Sequence, residues 1–503
     1  MSLRSSAVFL VVISGAAAGC ASGSNGAPVG DFDGGTTVSS LDAGVAQDGG
    51  STQFLDSGVS THPGGEGATP HDAGATSGDS GMPTNGDSES APSDSGMPTS
   101  GDSESTPSDS GMPTSGDSES TPGDSGMPTS DAAGAVNNVA PLVVDEGPTG
   151  VNSSNTPFVT VTVCIPGTTT CQTIDHVIVD TGSSGLHIIA SVLSSKLVLP
   201  QARASTGSSL AECETYITSQ VWGGIHTADV KIAGETALAI PIQIIGDPSI
   251  PSVPSSCGKG SSVTDTVTSY GGNGLVGINQ LVADCGSFCA QTPAQPAGYY
   301  SCTSTACAPV AVPVANQVSN PIAFFAKDNN GAIVSFASTS APATGASSLA
   351  GSLIFGIGTQ ANNAVGSATV LTTDVNGDLT TVFNGQSLTG SYFDTGTSEY
   401  SFADSSIAQC GANDFWSGSY CPASTLDLTA VNRGANGATK STSFAIANAD
   451  NMSRSDAVLP DIGAPADGNG SFAWGFPFFI GRNVYVALDG ASTPSGKGPY
   501  YAY

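Results

Sequence analysis

Ile178-Val179-Asp180-Thr181-Gly182-Ser183-Ser184 and, 214 residues further on, Tyr392-Phe393-Asp394-Thr395-Gly396-Thr397-Ser398 are two versions of one phrase. Each sets two apolar residues before Asp-Thr-Gly and a hydroxyl residue and a Ser after it. One Asp-Thr-Gly alone carries little information, because a chain of this length and composition contains such a triplet by accident about once in two or three cases. Two copies in matching contexts arise together by accident on the order of once in a thousand. The repetition marks Asp180 and Asp394 as candidates for paired-carboxylate chemistry.

Around this pair the 503-residue chain divides by composition. Residues 21–140 hold 18 Asp or Glu and no Lys or Arg, and are dominated by Gly, Ser, Thr, Pro and Ala. So little apolar surface cannot offset the entropy of ordering a chain, so this stretch reads as a disordered linker. Within it a 15-residue unit begins at Gly81, Gly96 and Gly111, with a fragment at Gly126. One Met per unit cannot stack a solenoid, so the repeats read as a tether with a span on the order of 60 Å. Residues 141–503 carry 24 acids against 10 bases. A surface this short of Lys and Arg excludes nucleic acid as a partner and disfavours direct contact with anionic lipid.

Residues 1–20 read as a signal segment: Arg4, an apolar run from Ala7 to Ile13, then Ala17-Ala18-Gly19-Cys20. The run is far shorter than the ~20 residues of a spanning helix. Its end resembles a bacterial lipobox, which implies lipidation at Cys20. Ala21, not Asp, follows, so the resemblance implies the outer membrane of a diderm bacterium, on its periplasmic or cell-surface face. Setting Cys20 aside, ten of the 11 cysteines remain, an even number suited to disulfides in an oxidising compartment. Cys164 with Cys171 and Cys410 with Cys421 enclose short loops and are paired locally. Cys285, Cys289, Cys302 and Cys307 form a further group, in which the absence of His argues against zinc, and Cys213 is left for Cys257.

From residue 141 the pattern is mainly β. Val159–Val163, Val230–Ile232 and Ile240–Ile244 alternate as strands, while Asn329-Asn330-Gly331, Asn376-Gly377-Asp378 and Asn384-Gly385 supply positive-φ positions suited to hairpins. The helical candidates are short, at 321–326 and 404–408. Asp374–Asp378 begins like a calcium loop, but Leu379 and Gly385 stand where the turn Gly and the bidentate Glu belong, so it reads as a hairpin turn. No close His pair exists. The sequence thus calls for no metal and no cofactor.

The paired phrases resemble those of the pepsin-like aspartic proteinases, in which each of two lobes contributes Asp-Thr-Gly and, further on, an apolar-apolar-Gly segment. Here Leu275-Val276-Gly277 and Ala473-Trp474-Gly475 fill the second role. The blocks D-T-G-S-S-G-L and Pro477-Phe478-Phe479-Ile480-Gly481-Arg482 are also similar to those of a bacterial group of exported proteins of unknown function. The resemblance implies a bilobal acid-protease fold, with pseudo-symmetric β lobes at 141–345 and 346–503 and the cleft between them. It implies Asp180 and Asp394 as the catalytic pair, holding a water between them. Two carboxylates about 3 Å apart cannot both ionise cheaply, the behaviour for which aspartic-protease dyads are known. It further implies that Gly182 and Gly396 let the loops approach, that Thr181 and Thr395 cross-link them, and that Ser183 and Thr397 orient the outer carboxylate oxygens. Tyr216 is the candidate flap tyrosine and Trp222 its rival. Glu399 stands where the family has an apolar residue, and a place in the cleft would let it alter substrate preference or raise the pair's pKa.

These readings lead to a monomeric aspartic endopeptidase that takes an extended peptide or protein substrate at acidic pH, tethered to a membrane through an N-terminal lipid. The alternative is a non-catalytic peptide- or inhibitor-binding lipoprotein on the same scaffold.

Overall fold

The computed structural model describes residues 137–216, 219–257, 263–291, 298–336, 344–466 and 470–503. The signal segment with Cys20, the repeats starting at Gly81 and the linker up to residue 136 lie outside these residues. The first strand begins at Val139, and Asn138 before it is fully buried with its amide donating to the Phe355 carbonyl, so the folded part starts ahead of residue 141.

The described residues are mainly β. In the first half the strands are β1 (Val139–Val144), β2 (Pro157–Cys164), β3 (Cys171–Asp180), β4 (Ser184–Ile189), β5 (Ser209–Thr215), β6 (Gln220–Ile232), β7 (Glu235–Ile245), β8 (Gly274–Ile278), β9 (Tyr299–Cys302), β10 (Cys307–Pro309) and β11 (Gly331–Ser335). The second half adds β12 (Leu349–Phe355), β13 (Val370–Thr372), β14 (Leu379–Phe383), β15 (Gln386–Phe393), β16 (Tyr400–Phe402), β17 (Leu426–Arg433), β18 (Thr439–Ile446), β19 (Gly463–Ala464), β20 (Phe472–Trp474), β21 (Asn483–Ala487), β22 (Ser492–Thr493), β23 (Gly496–Lys497) and β24 (Tyr500–Ala502). Two short helices, α1 (Val267–Tyr270) and α2 (Gly286–Gln291), interrupt the first half.

Alternation explains the strands. In β2, Val159, Val161 and Val163 are buried while Thr160 between them is exposed, the period-two pattern of a sheet with one covered face. A 15-stranded sheet runs β10-β9-β5-β6-β7-β4-β8-β3-β2-β1-β12-β11-β21-β24-β13. The long β6 pairs with β7 along one edge, and along the other its first half pairs with β5 and its second with β2. The β6–β2 pairing closes β2, β3, β8, β4, β7 and β6 into a barrel-like ring. A seven-stranded half-barrel, β18-β17-β14-β15-β20-β16-β19, forms a second sheet around an aromatic core. There Phe402 and Phe472 stack 4.8 Å apart, and the Trp474 indole N–H is satisfied by Thr381 and Asn432. Strands from both sides of residue 346 share the large sheet, since β11 pairs with β12 and β21.

Local signals were translated unevenly. Asn384 and Gly385, both at positive φ, form the two-residue turn between β14 and β15. Asn329–Gly331 and Asn376–Asp378 form no hairpin. The first leads into β11, and in the second the Asp374 carboxylate accepts from the Asn376 and Asp378 amides in a turn between strands of different sheets. Pro321–Phe324 is a single 3-10 turn and 404–408 is a turn without helix, both too short to nucleate one.

Five disulfides pair Cys164 with Cys171, Cys213 with Cys257, Cys285 with Cys289, Cys302 with Cys307 and Cys410 with Cys421. The Cys213–Cys257 bond spans 44 residues and the Cys164–Cys171 bond seven. Loop-closure entropy then makes their worth unequal. Replacing both cysteines of the longer loop by Ala is expected to cost about 4 kcal/mol, against about 2 for the shorter, measured by urea unfolding at neutral pH.

Candidate active site

Asp180 is the last residue of β3, and the parallel neighbour β8 sets it opposite Gly277. Past the loop, β4 returns antiparallel along the other edge of β8. The same arrangement recurs in the second sheet: β15 ends at Phe393 opposite Trp474 of parallel β20, and β16 returns antiparallel along β20. Two strand-loop-strand units therefore each wrap a middle strand that ends in the apolar-apolar-Gly segment. No side chain fits at those glycines. A Cβ on Gly277 would meet the Ser183 backbone at 2.6 Å, and one on Gly475 the Glu399 carbonyl at 2.0 Å.

The two loops, far apart in sequence, are bonded crosswise. The Thr181 hydroxyl donates to the Phe393 carbonyl at 2.9 Å and accepts from the Thr395 amide at 3.0 Å. The Thr395 hydroxyl donates to the Val179 carbonyl at 2.7 Å and accepts from the Thr181 amide at 3.0 Å. All four groups are buried, so each bond also removes an orphaned backbone group.

Each carboxylate is held in the same way. Asp180 Oδ1 accepts from the Gly182 amide at 2.7 Å and Oδ2 from the Ser183 hydroxyl at 2.5 Å. Asp394 Oδ1 accepts from the Gly396 amide at 2.7 Å and Oδ2 from the Thr397 hydroxyl at 2.6 Å. Both Oδ1 atoms border the Gly396 position. A Cβ on Gly396 would lie 2.7 Å from Asp180 Oδ1 and 3.1 Å from Asp394 Oδ1, and one on Gly182 would lie 2.7 Å from Asp394 Oδ1. Glycine at both positions is what lets the carboxylates converge. Each Asp retains only 6–7% of its surface exposure.

Tyr216 sits at the turn joining β5 to β6. It is half-buried, its hydroxyl 3.2 Å from that of Tyr270, and burial first, with the charges of Tyr270, Glu214 and Asp180 adding, pushes its pKa up. Asp180 thus lies within electrostatic reach of this hairpin. Trp222 is only 5% exposed on β6, its indole donating to the Pro251 carbonyl and its ring edge-on to Tyr300. Its ring is committed to the core, which removes it as a flap residue. Glu399 follows directly on the second Asp-Thr-Gly loop. It is 4% exposed, bonded to Ser419, with Oε1 lacking a partner, and burial pushes its pKa up to about 8. Sequence reading missed Tyr501, buried with its ring 5.0 Å from Phe393 and its pKa raised by burial and then by Asp394. It also missed His187, wholly buried on β4. Neither lies in a recognisable motif, and only the strand pairing brings them near the pair.

Residues 134–503 match the family described as "Protein of unknown function (DUF3443)", and the chain belongs to that family. A search of curated proteins returns no match.

Thr181→Val removes a donor and an acceptor, orphaning the Phe393 carbonyl and the Thr395 amide. A loss of about 2–4 kcal/mol is expected in urea unfolding, with Thr181→Ser retaining most of the stability. Glu399 gives a pH signature. Its folded pKa lies above the ordinary carboxyl value of about 4.3, so its neutral form favours the fold. That contribution is whole below pH 4.3 and is lost as pH rises through about 8. Glu399→Gln should match the parent protein near pH 4 and exceed it by up to a few kcal/mol at pH 8 in thermal or urea melts.

Proposed function

We propose that this DUF3443 protein is an aspartic endopeptidase of the pepsin-like type, with Asp180 and Asp394 sharing one proton across a cleft between two β lobes. The observation that carries the reading is the convergence of two identically held carboxylates, locked by reciprocal Thr181 and Thr395 hydrogen bonds. A backbone amide and a hydroxyl fix each Asp, so neither can turn away to solvate itself separately. Proximity of the two favours one proton over none or two.

Such a pair can act on a peptide bond without a cofactor. The ionised Asp takes a proton from a water held between the carboxylates while the water oxygen adds to the carbonyl carbon. The protonated Asp gives its proton to the carbonyl oxygen, forming a neutral gem-diol. Collapse of the gem-diol breaks the C–N bond, with one proton passing to the leaving amine, and the pair returns to its singly protonated state. The near symmetry leaves either Asp able to take either role. The β5–β6 hairpin carrying Tyr216 would close over the substrate, which would bind extended.

The proposal includes export and lipid anchoring at Cys20, with the acidic linker holding the monomer off an outer membrane. Five disulfides support an oxidising compartment.

Digestion of casein or denatured haemoglobin between pH 3 and 6, with and without pepstatin, tests the activity. Cleavage should be pepstatin-sensitive and fall on the order of a thousandfold or more in Asp180→Asn and in Asp394→Asn, each still folded by circular dichroism. Pepstatin or peptide binding without cleavage at any pH would reject the enzyme and support a binding protein on the same scaffold.

A further inference from the structure

Glu212 and Glu214 alternate on β5 and so share one face of the strand. Asp284, after β8, meets them there. One carboxylate oxygen from each lies within 4.8 Å of the other two, and the three residues are 0%, 6% and 2% exposed. Two of the three are accounted for. Asp284 accepts from the Tyr299 hydroxyl at 2.7 and 2.8 Å, and that hydroxyl in turn accepts from the Val318 amide. Glu214 has interactions of its own. Glu212 differs: it is fully buried, aimed into the cluster, and neither of its carboxylate oxygens makes a hydrogen bond of sound geometry, its polar interactions being with Asp284 and Tyr299 inside the cluster.

A carboxylate sealed from water without a donor is costly, and three together are more so. The ion pairs of His176 with Asp145 and Asp175 and of His226 with Asp247 include neither Glu212 nor Asp284. His187, which feels the charge of Asp284, has both ring nitrogens engaged, Nδ1 at 2.9 Å from Gln243 Oε1 and Nε2 at 3.4 Å from the Ser184 carbonyl. Burial lowers its pKa, so it supplies no charge.

We propose that Glu212, Glu214 and Asp284 bind a divalent cation of the calcium type, clamping the β5–β6 hairpin to the loop after β8. Calcium–oxygen distances of 2.3–2.6 Å place opposed ligand oxygens about 4.6–5.2 Å apart, so three oxygens within 4.8 Å can reach one ion. The donors are all oxygen, which disfavours zinc or copper. Carboxylates that bind through both oxygens can fill a calcium shell in a sealed site, whereas magnesium retains several waters. The site belongs to the first sheet alone and stands whether or not Asp180 and Asp394 hydrolyse peptides.

The test uses the full, disulfide-bonded chain at pH 7.5. After EDTA treatment, adding Ca2+ at about a hundredfold over its Kd should raise Tm by several °C, and calcium should bind at one equivalent by calorimetry. Glu212→Gln should abolish this rise while leaving the metal-free Tm equal to or above that of the parent, because it removes an uncompensated acid. Where Glu212→Gln fails to fold, terbium added to the unaltered chain provides the second reading: Tb3+ should show tyrosine-sensitised emission through Tyr299, displaced by Ca2+. Unchanged Tm, no heat of binding and no sensitised terbium emission would overturn the proposal and leave a proton-sharing carboxyl pair. Loss of peptidase activity in Asp180→Asn with an intact calcium response would reject neither site on account of the other.

Discussion

Four hydrogen bonds between two threonine hydroxyls and the backbone of the opposite loop hold the centre of this protein. Thr181 and Thr395 each leave their own loop to satisfy the other, so neither loop is complete alone. Everything adjacent follows from that closeness. The residue after each Thr must lack a side chain, because a Cβ would strike the opposing Asp. At or just beyond the end of the middle strand beneath each loop, Gly277 and Gly475 must be glycine, because the returning chain passes directly over them. The hydroxyl after each glycine then has one orientation in which it reaches its own Asp. A six-residue phrase written twice is thus the minimum vocabulary for two loops sharing one contact.

The protein holds buried carboxyl groups in a chain with few cations, and it treats them in different ways. Asp180 and Asp394 receive a backbone N–H and a hydroxyl each, an arrangement that fixes their direction. Glu399 has Ser419 on one side and nothing on Oε1, an arrangement that favours the neutral acid. Glu212 has no hydrogen bond of sound geometry and two acidic neighbours. Its environment suits either a proton or a metal ion and opposes a bare charge. Burial is common to all of them, so the donor count separates their roles.

Strands, turns and disulfides were legible in the sequence to the extent that they are local. Val159–Val163 alternates because one sheet face is covered, and Cys164 and Cys171 bracket a turn that leaves them little choice of partner. The repeated Asp-Thr-Gly was legible because its constraint acts within six residues. What the sequence does not display is the insertion of β8 between β3 and β4, or of β20 between β15 and β16, since those pairings join segments about 80–100 residues apart. The Asn-Gly signals show the same boundary. Asn384-Gly385 makes a hairpin because β14 and β15 pair, whereas Asn376-Gly377 offers the same backbone freedom between strands that belong to different sheets. Glu212-Cys213-Glu214 shows which two acids share a face, but Asp284 reaches them only through the fold.

The strand that leaves the first Asp-Thr-Gly loop connects the two acidic centres. β4 starts at Ser184, directly after the residue that orients Asp180, and three residues later presents His187 to Gln243. Gln243 then donates to the Glu212 carbonyl, so the chain of contacts runs from the loop through β4 and β7 to β5. The same ring responds to both sides, since the charges of Asp284 and Asp180 each act to raise the His187 pKa against the larger effect of burial. A low-dielectric wall of this kind transmits charge well, because little water intervenes to screen it. Both acidic centres therefore act on one buried ring, that of His187.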